Sequence, residues 1–326
     1  MRVAGIDCGT NSIRLLVADT QDGAPNDAGA LGPTRLTDVH REMRIVRLGQ
    51  GVDATGLLAP EALERTFAAV EDYAATIRSL GAERVRFVAT SATRDARNRD
   101  DFVDGIRSRL GVEPEVVPGS EEASLSFAGA ASVLPLRAGE PVVVVDLGGG
   151  STEFVLGDAG GVIAARSVDI GCVRLTERHL RSDPPTEAEI AEAQDDVDRG
   201  IDEALAEVPL AAATAVIGVA GSITTITAHA LALPAYQPER IHGSELALPQ
   251  IEEACGSLLG MSRSERTALP YMHPGRADVI GAGAVVWRRI LERMAELTGG
   301  RVASAITSEH DILDGIALST LGDAAS

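Results

Sequence analysis

Residues 3–19 and 142–158 align without a gap at a constant offset of 139. VAGIDCGTNSIRLLVAD lies over VVVVDLGGGSTEFVLGD, so that Val3, Asp7, Gly9, Ser12 and Asp19 meet Val142, Asp146, Gly148, Ser151 and Asp158. Each copy reads as a buried strand ending in aspartate, a turn rich in glycine and hydroxyl groups, and a second apolar strand returning. A hairpin repeated at that separation predicts two related lobes. The 326-residue length and 45% hydrophobic composition are enough for two cores. The predicted division is 1–125, with a helix over 309–326 packing back on it, and 126–308.

The turn itself has a chemistry. Glycines at 148, 149 and 150 lift the Cβ barrier to positive φ and let backbone N–H groups converge on an anion, while Ser151 and Thr152 add hydroxyls. Thr10, Asn11 and Ser12 occupy the matching turn of the first copy. Asp7, Asp146 and Glu153 are hard oxygen ligands at the strand ends, suited to magnesium. A third glycine turn, Gly218 to Ser222, opens a helix-like stretch, and helix starts after GVAGS and PGS would add N–H groups and positive dipole ends. A tight β-turn would explain an isolated D-x-G-x-x-S; the duplication and the third turn favour a phosphate site.

Elsewhere strand-like and helix-like patterns alternate, the mark of α/β layering. APEALERTFAAVEDYAATIRSLGA has helical spacing, with Pro60 at its start and Gly81 as its stop. SDPPTEAEIAEAQDDVDRGIDEALAEV reads as a solvated acidic helix. The net charge of −19 argues against a nucleic-acid or membrane surface, and no apolar run is long enough to cross a bilayer. Met1-Arg2 leads straight into a strand-like segment, so the expected location is cytoplasmic. All 29 basic residues are arginine, which excludes a Walker A loop and a pyridoxal Schiff base. Cys8, Cys172 and Cys255 are too scattered for a disulfide or metal framework, and the six histidines lack metal-site spacing.

GIDCGTNSIRLLVAD, VDLGGGSTEF, VAGSITTITA and RADVIGAGAVV resemble the two phosphate motifs, the adenosine-type motif and the second connecting motif of the actin-like, sugar-kinase and chaperone ATPase superfamily. ATSATRDARN, GSEEASLSFAGA and SVDIGCVRLTERHL narrow the resemblance to the exopolyphosphatase/guanosine pentaphosphate phosphohydrolase (Ppx/GppA) family, in its short two-domain form. The resemblance implies two ribonuclease-H-like domains with an active-site cleft between them. It implies hydrolysis of terminal phosphate from inorganic polyphosphate, or of the 5′ γ-phosphate from guanosine pentaphosphate, with Mg2+ or Mn2+.

It further implies that Glu121 is the base for the attacking water and that Arg94 faces the phosphates. Glu122 is left as a first-turn acid that complements the helix dipole. Thr10, Asn11, Ser12, Gly148, Gly149, Gly150, Ser151, Thr152, Gly221 and Ser222 would bind phosphate. Asp146 and Glu153, assisted by Asp7, would hold the metal. A homodimer is implied by family analogy alone. Two other readings are a nucleotide- or alarmone-binding regulator without turnover, against which the intact acidic set speaks, and a kinase, for which the acceptor-binding segments are replaced.

Overall fold

A computed structural model describes residues 1–21, 35–134 and 136–321. The chain divides into two compact units: Met1–Val133 together with the stretch from Ile312, and Leu134–Asp311. The expected boundary after 125 falls inside the helix Gly119–Ala131. A helix cannot be split there without cutting its ladder of bonds, so the division comes eight residues later, and the return into unit 1 begins at Ile312 rather than 309.

Unit 1 holds a five-stranded sheet, β1 (Arg2–Cys8), β2 (Ser12–Gln21), β3 (Arg35–Ile45), β4 (Arg84–Ala89) and β5 (Glu115–Val116), in the order β3-β2-β1-β4-β5. β1 and β2 form the antiparallel hairpin of the first repeat, and β1 pairs with β4 in parallel. One face is covered by Pro60–Leu80 and Arg99–Leu110, with Tyr73, Phe87 and Phe102 fully buried. The first of these helices has the predicted limits, and Gly81 ends it at φ 70°. The opposite face takes the helices Gly119–Ala131 and Ile312–Ser319, whose Ile312, Leu313, Ile316 and Ala317 pack on Val3, Leu16, Val88 and Leu125.

Unit 2 repeats the plan with β6 (Val142–Leu147), β7 (Thr152–Asp158), β8 (Gly161–Val168), β9 (Ala215–Val219), β10 (Glu245–Ala247) and β11 (Ser304–Thr307), in the order β10-β11-β9-β6-β7-β8. Both sheets run as a three-stranded antiparallel meander followed by crossovers to parallel strands, and unit 2 adds β10 at the far edge. This is the ribonuclease-H-like order, and the chain is an α/β protein built from two such sheets. Buried Trp287, on the helix Ile280–Leu297, fills the core of unit 2 beside Gly218, where a Cβ would come within 2.8 Å of the indole.

The acidic helix is less solvated than its composition suggests. It spans Glu187–Leu205, opens with a Thr186/Glu189 capping box and buries Ala193, Val197, Gly200, Ile201 and Ala204. Asp198 accepts from Arg289 and Arg293, and Asp202 from Arg293, so part of its charge is spent on a neighbouring helix. The three cysteines are free and buried. Among the described residues no helix is long and apolar enough to cross a membrane.

Candidate active site

The two repeats close their turns with the same bond: Gly9 N donates to Ser12 O and Gly148 N to Ser151 O, both at 3.0 Å. The hairpin register then sets a difference between them. Asp7 stands opposite Arg14, whereas its counterpart Asp146 stands opposite Glu153. Arg14 donates to Asp7 Oδ2 from Nε at 2.9 Å and from Nη2 at 2.7 Å. The first aspartate is thus ion-paired through Oδ2 with a side chain of its own unit.

In unit 2 both members of the cross-strand pair are carboxylates, and both are buried. Like charges directly opposite on a sheet are destabilising. Glu153 Oε1 accepts the hydroxyls of Ser151 and Ser167, each at 2.7 Å, which fixes the carboxylate's orientation. Two hard-oxygen ligands without a closed cage suit magnesium, which keeps several waters and is bound by one or two carboxylates plus substrate phosphates. Among the described residues no three metal-ligating side chains form a cluster.

The expected hydroxyl donors are partly spent elsewhere. Thr152 lies fully buried in β7 and donates to Ile170 O at 3.1 Å, so its hydroxyl is structural and not a phosphate ligand. Ser151 gives its proton to Glu153, so its hydroxyl is no longer a donor for a phosphate. Thr10 shares a 2.9 Å hydroxyl contact with Ser91, and the carbonyl of Asn11 accepts from Val46 N and Arg47 N. Gly221 and Ser222 open the helix Gly221–Ala230 after Ala220, which is held at φ 73°, a left-handed conformation uncommon outside glycine. Arg276 rests on that start, its Nη1 3.4 Å from both Gly221 O and Thr225 Oγ1, and a Cβ at Gly221 would overlap the guanidinium.

The largest departure concerns the adjacent glutamates of GSEEA. Glu121 is 42% exposed and accepts from Arg86 Nη2 at 2.5 Å, in a surface network that also contains Glu115. Glu122 is buried and accepts from Arg94 Nη1 at 2.9 Å, and the same nitrogen donates to Val117 O at 3.1 Å. Burial pushes the Glu122 carboxyl up to about 7; Arg94 and Thr90 oppose the rise and the nearby Asp7 charge adds to it. Successive helical residues point about 100° apart, so only one of the two can join the Asp7, Thr90 and Arg94 group. That residue is Glu122, whereas Glu121, the expected base, lies in the surface network with Arg86 and Glu115. Ser167, Arg14 and Arg276 also act at these loops and were missed by the sequence reading.

The fold is two related α/β sheets, each with a turn closed by the same glycine–serine bond at the head of its central hairpin. The model of the Ppx/GppA phosphatase family matches residues 24–320. Exopolyphosphatase 2 of Mycobacterium tuberculosis is 53% identical over 326 residues, covering 98% of this chain and 99% of that protein. The crystal structure of an exopolyphosphatase-like protein is similar at 46% identity and a TM-score of 0.90, covering 98% of each chain. The Aquifex aeolicus Ppx/GppA family member follows at 30% identity and a TM-score of 0.76, covering 100% of this chain and 99% of that one. The chain belongs to the Ppx/GppA family.

Proposed function

We propose that the chain is an exopolyphosphatase, releasing terminal orthophosphate from inorganic polyphosphate by attack of water. The observation that carries the chemistry is Glu122, a buried carboxyl pushed up to about 7 beside Arg94 and Asp7. A general base works best when its pKa lies near the working pH. Ionised Glu122 takes a proton from water as the oxygen bonds to phosphorus; the phosphoanhydride bond breaks, and the shortened chain leaves with the electron pair. Arg94, which already orients Glu122, offers positive charge to a migrating phosphoryl group, the main demand of this reaction class.

The backbone amides of Gly149, Gly150 and Ser151 bind the phosphate chain in this reading, with Gly221 and Ser222 as a further donor turn. Asp146 and Glu153 would hold magnesium, which supplies charge neutralisation to the phosphates when bound. The name of the Mycobacterium tuberculosis relative supports polyphosphate as substrate.

The test is orthophosphate release from polyphosphate and from guanosine pentaphosphate at matched concentration, for the wild type, Glu122→Gln and Glu121→Gln. Loss of about a hundred- to ten-thousandfold is expected for Glu122→Gln, with Glu121→Gln close to wild type. The reverse pattern would return the base to Glu121. Turnover of guanosine pentaphosphate alone would replace the substrate.

A further inference from the structure

The second glycine loop is held from behind, carbonyl by carbonyl. Gly148 O accepts from Cys172 N at 3.0 Å, Gly149 O from Val173 N at 2.8 Å and Arg174 N at 3.1 Å, and Gly150 O from Gly171 N at 3.2 Å. The Arg174 side chain adds a fifth bond, Nε to Gly150 O at 2.8 Å. In a planar trans peptide the C=O and the following N–H point in opposite directions. Capture of these carbonyls therefore turns the amides of Gly149, Gly150 and Ser151 to the other side, the arrangement an anion-binding loop requires. Three consecutive glycines left to themselves would lose that order, because glycine has the most backbone freedom to give up.

The backing segment comes this close because residue 171 is glycine: a Cβ there would overlap the backbone of Gly149 and Gly150. Unit 1 uses the same device with an unrelated stretch. Asn11 O accepts from Val46 N and Arg47 N, Thr10 O accepts from Gly49 N, and a Cβ on Gly49 would overlap the Thr10 side chain. Only unit 2's loop is three glycines long, and there the backing includes a guanidinium that is 11% exposed and 3.6 Å from the well-exposed carboxylate of Asp169. Burial of a charge is costly unless it is paired and hydrogen-bonded. A guanidinium placed behind the loop also favours negative charge in front of it.

We infer that Arg174, seated by Gly171, is a positioning residue for phosphate recognition. It acts through the Gly150 carbonyl to hold the loop's amides in their binding orientation. The inference rests on reading residues 148–151 as a phosphate loop.

The test uses the full chain with Arg174→Met, Arg174→Lys and Gly171→Ala. Two readouts are needed: steady-state orthophosphate release from polyphosphate with magnesium, and calorimetric binding of orthophosphate with magnesium. Arg174→Met should raise KM and the orthophosphate Kd about tenfold, equal to about 1.4 kcal/mol, with kcat within about threefold of wild type. Arg174→Lys keeps a donor for Gly150 O and should recover most of the loss, whereas Gly171→Ala should lose both activities.

A folded Arg174→Met protein with wild-type KM and Kd overturns the inference, as does an Arg174→Lys protein equally impaired. Should the wild type release nothing from polyphosphate while the Kd series holds, the substrate reading falls and the positioning role stands. Absence of orthophosphate binding to the wild type at millimolar concentration would remove both.

Discussion

Replacing Glu122 by glutamine should cut turnover about a hundred- to ten-thousandfold and, at alkaline pH, stabilise the protein. The carboxyl is raised from 4.5 to about 7, chiefly by burial. Between those two values the folded state binds more protons than the unfolded one, so stability is fully present below about 4.5 and falls as pH rises towards about 7. At about 1.4 kcal/mol per pH unit, the interval corresponds to a loss of about 3 kcal/mol by pH 8. The interval is already net of the attraction from Arg94, which opposes the rise, and glutamine removes the titration altogether. The gain at pH 8 is therefore at most about 3 kcal/mol, several degrees in Tm for a unit of this size.

The cleaner signature is the slope: wild-type Tm should fall between pH 5 and pH 8 by more than that of Glu122→Gln. Differential scanning calorimetry at half-unit steps, in buffers of matched ionic strength, reads both. Parallel curves for the two proteins would refute the raised carboxyl, and with it the argument that this residue is poised as the base.

In the wild type, log kcat/KM should rise with unit slope as Glu122 ionises and level off above about 7; a profile flat from pH 5 to pH 9 would speak against it. Asp146→Asn, which removes one of two facing carboxylates, should raise the magnesium concentration for half-maximal rate by about 10- to 100-fold, by analogy with losses seen around other metal sites, measured by metal titration of the initial rate. Thr152→Val should cost about 1 kcal/mol through the lost bond to Ile170 O and leave KM for polyphosphate unchanged; a large rise in KM would restore its role as a phosphate ligand. Gly315→Ala would press a methyl group into Leu125 O on the neighbouring helix and should lower stability by about 1–3 kcal/mol or more, read by denaturant titration.

The hairpins could be read in advance because their central strands are buried and their turns keep fixed positions across a gapless repeat. Even the contrast between Arg14 and Glu153 lay in the sequence, since a turn closed by Gly9 and Ser12 fixes Asp7 opposite Arg14 and the repeat places Glu153 opposite Asp146. The identity of the buried glutamate had a weaker signal. Glu122 shares the helix face of Leu125, Ser126 and Gly129, all buried, while Glu121 is followed three residues later by exposed Ser124. Two acids in a first turn satisfy the same dipole rule, and that rule concealed the periodicity.

β3 was not anticipated because RLTDVHREMRI is an edge strand with no fully buried position, and its pairing comes from β2 rather than from its own apolar pattern. Arg174 and Ser167 were missed for another reason: each acts on a loop or carboxylate distant in sequence, through bonds that only the tertiary fold brings about.

The division of unit 1 into two stretches has a consequence during synthesis. Its sheet lacks one of the two helices on its second face until Ile312–Ser319 has left the ribosome, because that helix supplies Leu313 and Ile316 to the core and Asp314 to Arg41 at 2.5 Å. Unit 2 is uninterrupted and has all of its strands by Thr307. The earlier-made unit therefore stays without its closing helix, and with apolar surface in need of shelter, throughout synthesis of the inserted one.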